Sequence, residues 1–242
     1  MNVFQSEFTL QFSQCDLSGA WRPSAVLETM QDAATRHGTE LGFGRDALLR
    51  QGLVWVITRL EVEMDRYPLP GETVRVETFP TANRRWFFPR WFLFRDAQGQ
   101  ELGRAGSLWA LLDVNARRMA PPTAVVPLLP DNSALTPPMS LPATCDQVGQ
   151  VQQEGLFIPQ YADLDVNMHV NNVRYLDLCC NALGIDTLRT HWLHRFAVNY
   201  DREIVPGQRI RTLLGRDGDR FSFSGAEGEQ RHFEISGILL PR

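Results

Sequence analysis

The chain has 242 residues, 43% hydrophobic and 21% charged, which is enough for one large domain or two small ones, each with a buried core. A formal charge of -4 argues against a general nucleic-acid binder, which would carry a basic excess or stripe. No apolar run approaches the roughly 20 residues of a membrane helix. Residues 1–7 show no basic region followed by an apolar one, so no secretory signal is expected and the cytoplasm is the default. The four cysteines, Cys15, Cys145, Cys179 and Cys180, form no CxxC pair, so neither a zinc site nor a disulfide framework is expected, and no metal or cofactor is called for.

Taken in chain order, Phe8, Leu10 and Phe12 alternate as in a strand, and Val26, Met30, Ala33, Ala34, His37 and Leu41 recur at helical spacing after Pro23. A Gly-rich loop near Gly42 and Gly44 follows, then strand alternation at Leu60, Val62 and Met64 and a hairpin turn near Gly99. Residues 119–142 hold seven of the fifteen prolines, a stiff, extended stretch suited to a surface connector. Beyond it, Val173, Leu176, Cys180 and Leu183 mark a second helix with Asn171 as its N-cap. Strands follow at 210–214 and 233–235, with a hairpin turn near Gly228. The expected units are 1–118, a connector at 119–152, and 153–242.

The two halves resemble each other. Asp16-Leu17 lines up with Asp163-Leu164 at an offset of 147, and Asp65-Arg66 with Pro70-Gly71 lines up with Asp201-Arg202 and Pro206-Gly207 at 136. Phe92, Phe94, Gly99 and Ser107 line up with Phe221, Phe223, Gly228 and Ser236 at 129. One helix against a curled antiparallel sheet, twice over, is an α+β plan.

Asp165, Asn167 and His169 occupy alternate positions, so an extended segment would turn all three into one cleft, given some curvature. Acids and amides before a helix also serve as caps and turn formers. On the 147 offset the first-half counterparts are Ser18, Ala20 and Arg22, and Glu203 faces Tyr67, so only the second half carries the polar set. That asymmetry favours function for Asp165, Asn167, His169 and Glu203.

The run from Asp165 to Tyr175 resembles the catalytic motif of the acyl-ACP thioesterases, the plastid chain-terminating enzymes and their bacterial relatives. Leu53 to Arg59, Asp65 to Pro68 and Arg104 to Trp109 resemble that family's first-half signature. The resemblance implies a tandem hotdog fold, hydrolysis of fatty acyl thioesters held on acyl carrier protein, and catalytic roles for Asp165, Asn167, His169 and Glu203. Some relatives carry a Cys directly after that Glu; Ile204 stands here, which excludes a thiolate nucleophile at this place. A carboxylate, Glu203 or Asp165, is expected to activate water or attack directly, with His169 and Asn167 orienting and polarising. Backbone N–H groups at Val170, Asn171 and Asn172 are expected oxyanion donors.

The first unit, free of the polar set, is expected to hold the acyl chain through Val26, Met30, Ala33, Ala34, Trp55 and Trp86, with plain core filling as the competing reading for each. Arg84, Arg85, Arg90, Arg117 and Arg118 are candidates for docking an acidic carrier, with a solvated face as the alternative. An acyl-CoA thioesterase and a non-catalytic acyl-binding module are the rival readings, with a hotdog dehydratase last. No membrane or nucleic-acid partner is expected, and a monomer or homodimer is open, since a tandem unit already supplies internal pairing.

Overall fold

The computed structural model describes residues 1–242. Strand β1 (Phe4–Thr9) leads through a 3-10 turn into α1 (Pro23–Glu40) and α2 (Arg45–Leu49). Then come β2 (Leu53–Met64), β3 (Thr73–Pro80), β4 (Phe87–Asp96), β5 (Glu101–Asp113) and the short β6 (Arg118–Met119). After the connector the order repeats: β7 (Val151–Phe157), α3 (Arg174–Leu183), α4 (Ile185–Thr190), β8 (His191–Tyr200), β9 (Ile210–Asp217), β10 (Arg220–Glu227) and β11 (Gln230–Pro241). No helix is long and apolar enough to cross a membrane.

Ten strands run antiparallel in the order β1-β3-β4-β5-β2-β8-β11-β10-β9-β7, with β6 paired to β5. Read inward from either end, the two halves have one connectivity. They meet at β2 and β8, where Glu61 pairs with Ala197, Arg59 with Asn199 and Glu63 with Arg195. Glu61 and Ala197 are 136 residues apart, the offset of the Pro-Gly pairs, so a local twofold axis passes through this pair. Arg195 reaches across the seam to the buried Glu61.

Alternation along β2 sends Leu60, Val62 and Met64 into the core, and one face of α1 buries Val26, Met30 and Ala33 against the sheet. Each of these side chains except Ala33 contributes roughly 1.5–3 kcal/mol. Pro23 opens α1, where a missing N–H costs nothing. The larger hydrophobic cluster takes residues from α1, α3 and both half-sheets, and a smaller one gathers Phe43, Leu48, Leu53, Phe88 and Leu111 in the first half. The second helix departs from the expected long one: α3 has 10 residues against 18 in α1, because Gly184, at φ 85°, ends it and starts α4.

Strand register corrects the duplication in two places. Phe92 pairs with Thr78 and Phe223 with Leu214, and 78 and 214 keep the 136 offset, so Phe92 corresponds to Phe223 and not to Phe221. The turn before each helix shifts by two. Trp21 N–H donates to Pro68 O and Val170 N–H to Ile204 O, both at 2.8–2.9 Å, and Arg22 N–H bonds Gln14 O as Asn171 N–H bonds Asp163 O. The offset there is therefore 149, and the counterparts of Asp165, Asn167 and His169 are Asp16, Ser18 and Ala20.

Candidate active site

Residues 165–170 form a tight turn, not the extended segment expected from alternation. Asp165 N–H donates to His169 O at 2.8 Å, Met168 N–H donates to Asp165 O at 3.0 Å, and Met168 adopts φ 61°. The left-handed region is ordinarily a glycine's, and the first half has Gly19 at φ 80° in that position. Asp165 Oδ1 accepts from the backbone N–H of Asn167 at 2.8 Å and of His169 at 3.2 Å, while Oδ2 accepts from Asn167 Nδ2 at 3.2 Å. Asp16 does the same work in the first half, accepting from Ser18 N–H at 2.8 Å. Asp165 is thus a turn former shared by both halves. The amide at 167, the imidazole at 169 and the carboxylate at 203 are what the second half has alone.

His169 Nδ1 lies 3.4 Å from Glu203 Oε2, on the loop after β8, and this pair is part-exposed. Asp165, Asn167 and Asn172 line a cavity of about 250 Å³ that the His169 and Glu203 side chains do not line; its other walls come mainly from the first half: Gln31 and Ala34 on α1, Trp55 on β2, Phe88 on β4 and Trp109 on β5. A smaller void of about 20 Å³, bounded by Leu27, Met30, Ile57 and Phe92, shares Gln31, Trp109 and Asn172 with it and lies deeper between α1 and the sheet. Ala34 and Trp55 line the larger cavity, and Met30 lines only the smaller void. Val26 and Ala33, at 0% and 2% exposure, are core filling, and Trp86 sits exposed on the β3–β4 hairpin away from the cavity.

The expected oxyanion donors are reduced to one. Val170 N–H is taken by Ile204 O and Asn171 N–H by Asp163 O, each at 2.8 Å, whereas Asn172 N–H donates to no group of the chain and Asn172 lines the cavity. The α-helical run starts at Arg174, and Asn171 caps the turn before it by accepting Val173 N–H at 3.1 Å. Of the docking arginines, Arg84, Arg85, Arg117 and Arg118 are exposed, but Arg90 is buried in the cavity wall and is not available to a surface partner. Sequence reasoning passed over Gln31, an exposed polar residue one turn from Leu27 and Ala34 on α1 that lines both cavities.

Ile204 is fully buried, and burial pushes the thiols of Cys145 and Cys180 up, to about 11 and about 12, so neither is a thiolate at neutral pH, and neither lines this cavity. The twofold mate of the site is a cavity of about 310 Å³ between the Asp16 turn and α3, where Arg242 Nη2 stands 3.6 Å from Asp16 Oδ2. Ala20 and Tyr67 occupy the positions of His169 and Glu203 there, so it has no proton-transfer pair.

Two half-sheets fused along β2 and β8, each with a helix on its inner face and only one with an imidazole–carboxylate pair, define a double-hotdog protein with one polar site. The chain belongs to the acyl-ACP thioesterase family: residues 1–124 match the family model described as "Acyl-ACP thioesterase N-terminal domain" and residues 147–234 match "Acyl-ACP thioesterase C-terminal domain". It is 26% identical over 235 residues to the chloroplastic palmitoyl-acyl carrier protein thioesterase of Arabidopsis thaliana, covering 89% of this chain and 56% of that protein. The chain spans about half the length of the curated relatives it matches. Among solved structures, an acyl-ACP thioesterase from Bacteroides thetaiotaomicron superposes with a TM-score of 0.89 at 23% identity, covering 98% of each chain. The 12:0-ACP thioesterase of Umbellularia californica superposes at 0.84 with 27% identity, covering 99% of this chain and 98% of that one.

Proposed function

We propose that this chain hydrolyses the thioester of a fatty acyl chain held on acyl carrier protein, releasing the free acid and ending chain growth. The observation that carries the reading is the cavity to which the second half supplies Asp165, Asn167 and Asn172 and the first half Ala34, Trp55, Phe88 and Trp109. We assign the acyl chain to unit 1–118, the chemistry to unit 153–242, and the crossing between them to connector 119–152.

In this reading the Glu203 carboxylate, 3.4 Å from Nδ1 of His169, draws the ring proton to that nitrogen, which leaves Nε2 free to take a proton from an attacking water. Asp165 has its oxygens committed to the turn, so it serves as the group that positions Asn167 and His169, and Glu203 is the working carboxylate. Asn172 N–H and Asn167 Nδ2 are the donors available to the developing oxyanion. The departing thiol, with an ordinary pKa near 8.5, needs little acid assistance.

Arg84, Arg85, Arg117 and Arg118 lie exposed without ion-pair partners in the chain, which supports their meeting an acidic carrier. The four free cysteines support a reducing compartment, the cytoplasm. The seam between β2 and β8 supplies in one chain what single units obtain by dimerising, which supports a monomer as the working unit.

The test is an assay of carrier-bound acyl chains from C6 to C18 against the same acyl groups on CoA. Turnover with higher kcat/KM on the carrier is expected. No turnover at any length overturns the reading in favour of an acyl-binding module, and preference for CoA overturns the carrier assignment alone.

A further inference from the structure

The cavity has a cationic wall for which a plain hydrocarbon chain has no use. Arg90, on β4, is 6% exposed and lines the cavity beside Phe88 and Pro89. Its Nη1 donates to Thr78 Oγ1 at 3.2 Å and lies 3.1 Å from His37 Nδ1, and its Nε and Nη2 bond to nothing in the chain.

Neither partner is a counter-charge. Burial, and then Arg90 itself, pull His37 down to about 4, so the ring is neutral at pH 7 and accepts at Nδ1. Nε2–H then donates to Asn2 Oδ1 at 2.9 Å, Asn2 N–H donates to Asn132 Oδ1 at 2.8 Å, and Asn132 Nδ2 donates to Pro80 O at 2.9 Å. Burial lowers Arg90 to about 10 with no acidic group near enough to raise it, so it stays charged at pH 7. A chain of neutral groups from the connector and the N-terminus therefore fixes a guanidinium against the cavity and leaves its charge unanswered. Burying an unpaired cation is costly, and a methionine would fill the same space without that cost. The missing partner is an acceptor oxygen, which a guanidinium binds with two parallel donors when the acceptor is a carboxylate.

We infer that Arg90 reads an oxygen carried on the acyl chain itself, so that the site favours chains bearing a carbonyl, hydroxyl or carboxylate over plain hydrocarbon of the same length. The inference rests on the thioesterase reading for the identity of the chain. Asp165, Asn167 and Asn172 supply the polar groups for the thioester end from the other unit, which leaves Arg90 to the chain. Arg90 is a specificity residue in this scheme.

The experiment measures kcat/KM for the wild type and Arg90→Met on carrier-bound chains of one length in four forms: unsubstituted, 3-oxo, 3-hydroxy and terminally carboxylated. The wild type is expected to prefer at least one oxygenated form by about tenfold or more, because a site built to hydrogen-bond a group discriminates against the analogue lacking it. Arg90→Met is expected to bring that ratio down to about one. A wild type that prefers the plain chain over all three, or a ratio unchanged in Arg90→Met, overturns the inference. If Arg90→Met does not fold, Arg90→Gln is judged by the same two criteria. If the wild type cleaves no acyl chain at all, the thioesterase reading falls by itself, and calorimetric binding of free hydroxy, oxo and dicarboxylic acids against the plain acid decides this one. Tighter binding of an oxygenated acid that Arg90→Gln abolishes supports it, and equal binding overturns it.

Discussion

Asp16 and Asp165, 149 residues apart, hold the same turn in the two units: each carboxylate accepts the backbone N–H two residues on at 2.8 Å, and each turn places a left-handed residue three positions later, Gly19 or Met168. What separates the units chemically is then Ser18 against Asn167, Ala20 against His169 and Tyr67 against Glu203.

The first unit shows that this turn accepts alanine where the second has histidine. His169→Ala is therefore expected to leave the thermal midpoint within about 2 °C of wild type, in line with a surface change of about 0.5 kcal/mol. Its kcat should fall by at least about a hundredfold, the scale of a lost general base. Glu203→Gln should show the same pairing of normal melting and lost rate. A normal kcat in either variant removes that residue from the proposed chemistry.

Asp16→Ala and Asp165→Ala each remove a side-chain acceptor from a turn, at a cost of about 1 kcal/mol apiece, equivalent to roughly 2–4 °C in a chain of this size. Only Asp165→Ala should also lose activity, since only its turn carries His169. Asp165→Asn keeps an acceptor oxygen and should restore most of the stability. Calorimetry alongside acyl-carrier assays of the three variants checks this, and equal activity loss in Asp16→Ala would refute the assignment of separate roles.

His37 is fully buried with its pKa brought from an ordinary value near 6.5 to about 4. Between those values the unfolded chain binds a proton at this position that the folded chain refuses, so His37 makes stability fall as pH drops from about 6.5 to about 4. Urea midpoints across pH 4–7.5 should therefore decline less steeply for His37→Gln than for the wild type. Parallel curves would show that His37 does not titrate in this window.

Ala34 lines the larger cavity and is half-buried. Ala34→Leu adds three carbons to that wall and should shorten the preferred acyl chain, with the rate ratio of long to short substrates falling about fourfold for each methylene excluded, on about 0.8 kcal/mol per CH₂. A length profile from C6 to C18 reads this directly. Trp86→Leu, on the exposed hairpin, should leave the profile in place.

Where physical periodicity governs, the sequence was readable. Alternation in β2 and the spacing of Val26, Met30 and Ala33 mark packed faces, and the paired Asp-Arg and Pro-Gly motifs revealed the duplication with the offset that the β2–β8 pairing obeys. The helix-capping turns are irregular and carry no period, and both Asp163 and Asp165 stand before an apolar residue, so the alignment slipped by two; the bonds of Trp21 to Pro68 and Val170 to Ile204 fix it. The pairing of His169 with Glu203 was foreshadowed by their joint absence from the first unit. Arg90 was misplaced because its burial depends on α1 and the connector folding over β4, although the apolar run Trp91, Phe92 and Leu93 beside it was a visible sign of an inward strand.

The seam at Glu61 and Ala197 has an evolutionary meaning. In an assembly of identical subunits every mutation is made twice, so an imidazole gained in one pocket is gained in both, and a pocket widened for a tail is widened everywhere. A single chain carrying both copies is free of that constraint: position 20 and position 169 can differ, as Ala20 and His169 do, and in the proposed scheme one half grips the acyl chain while the other cuts it.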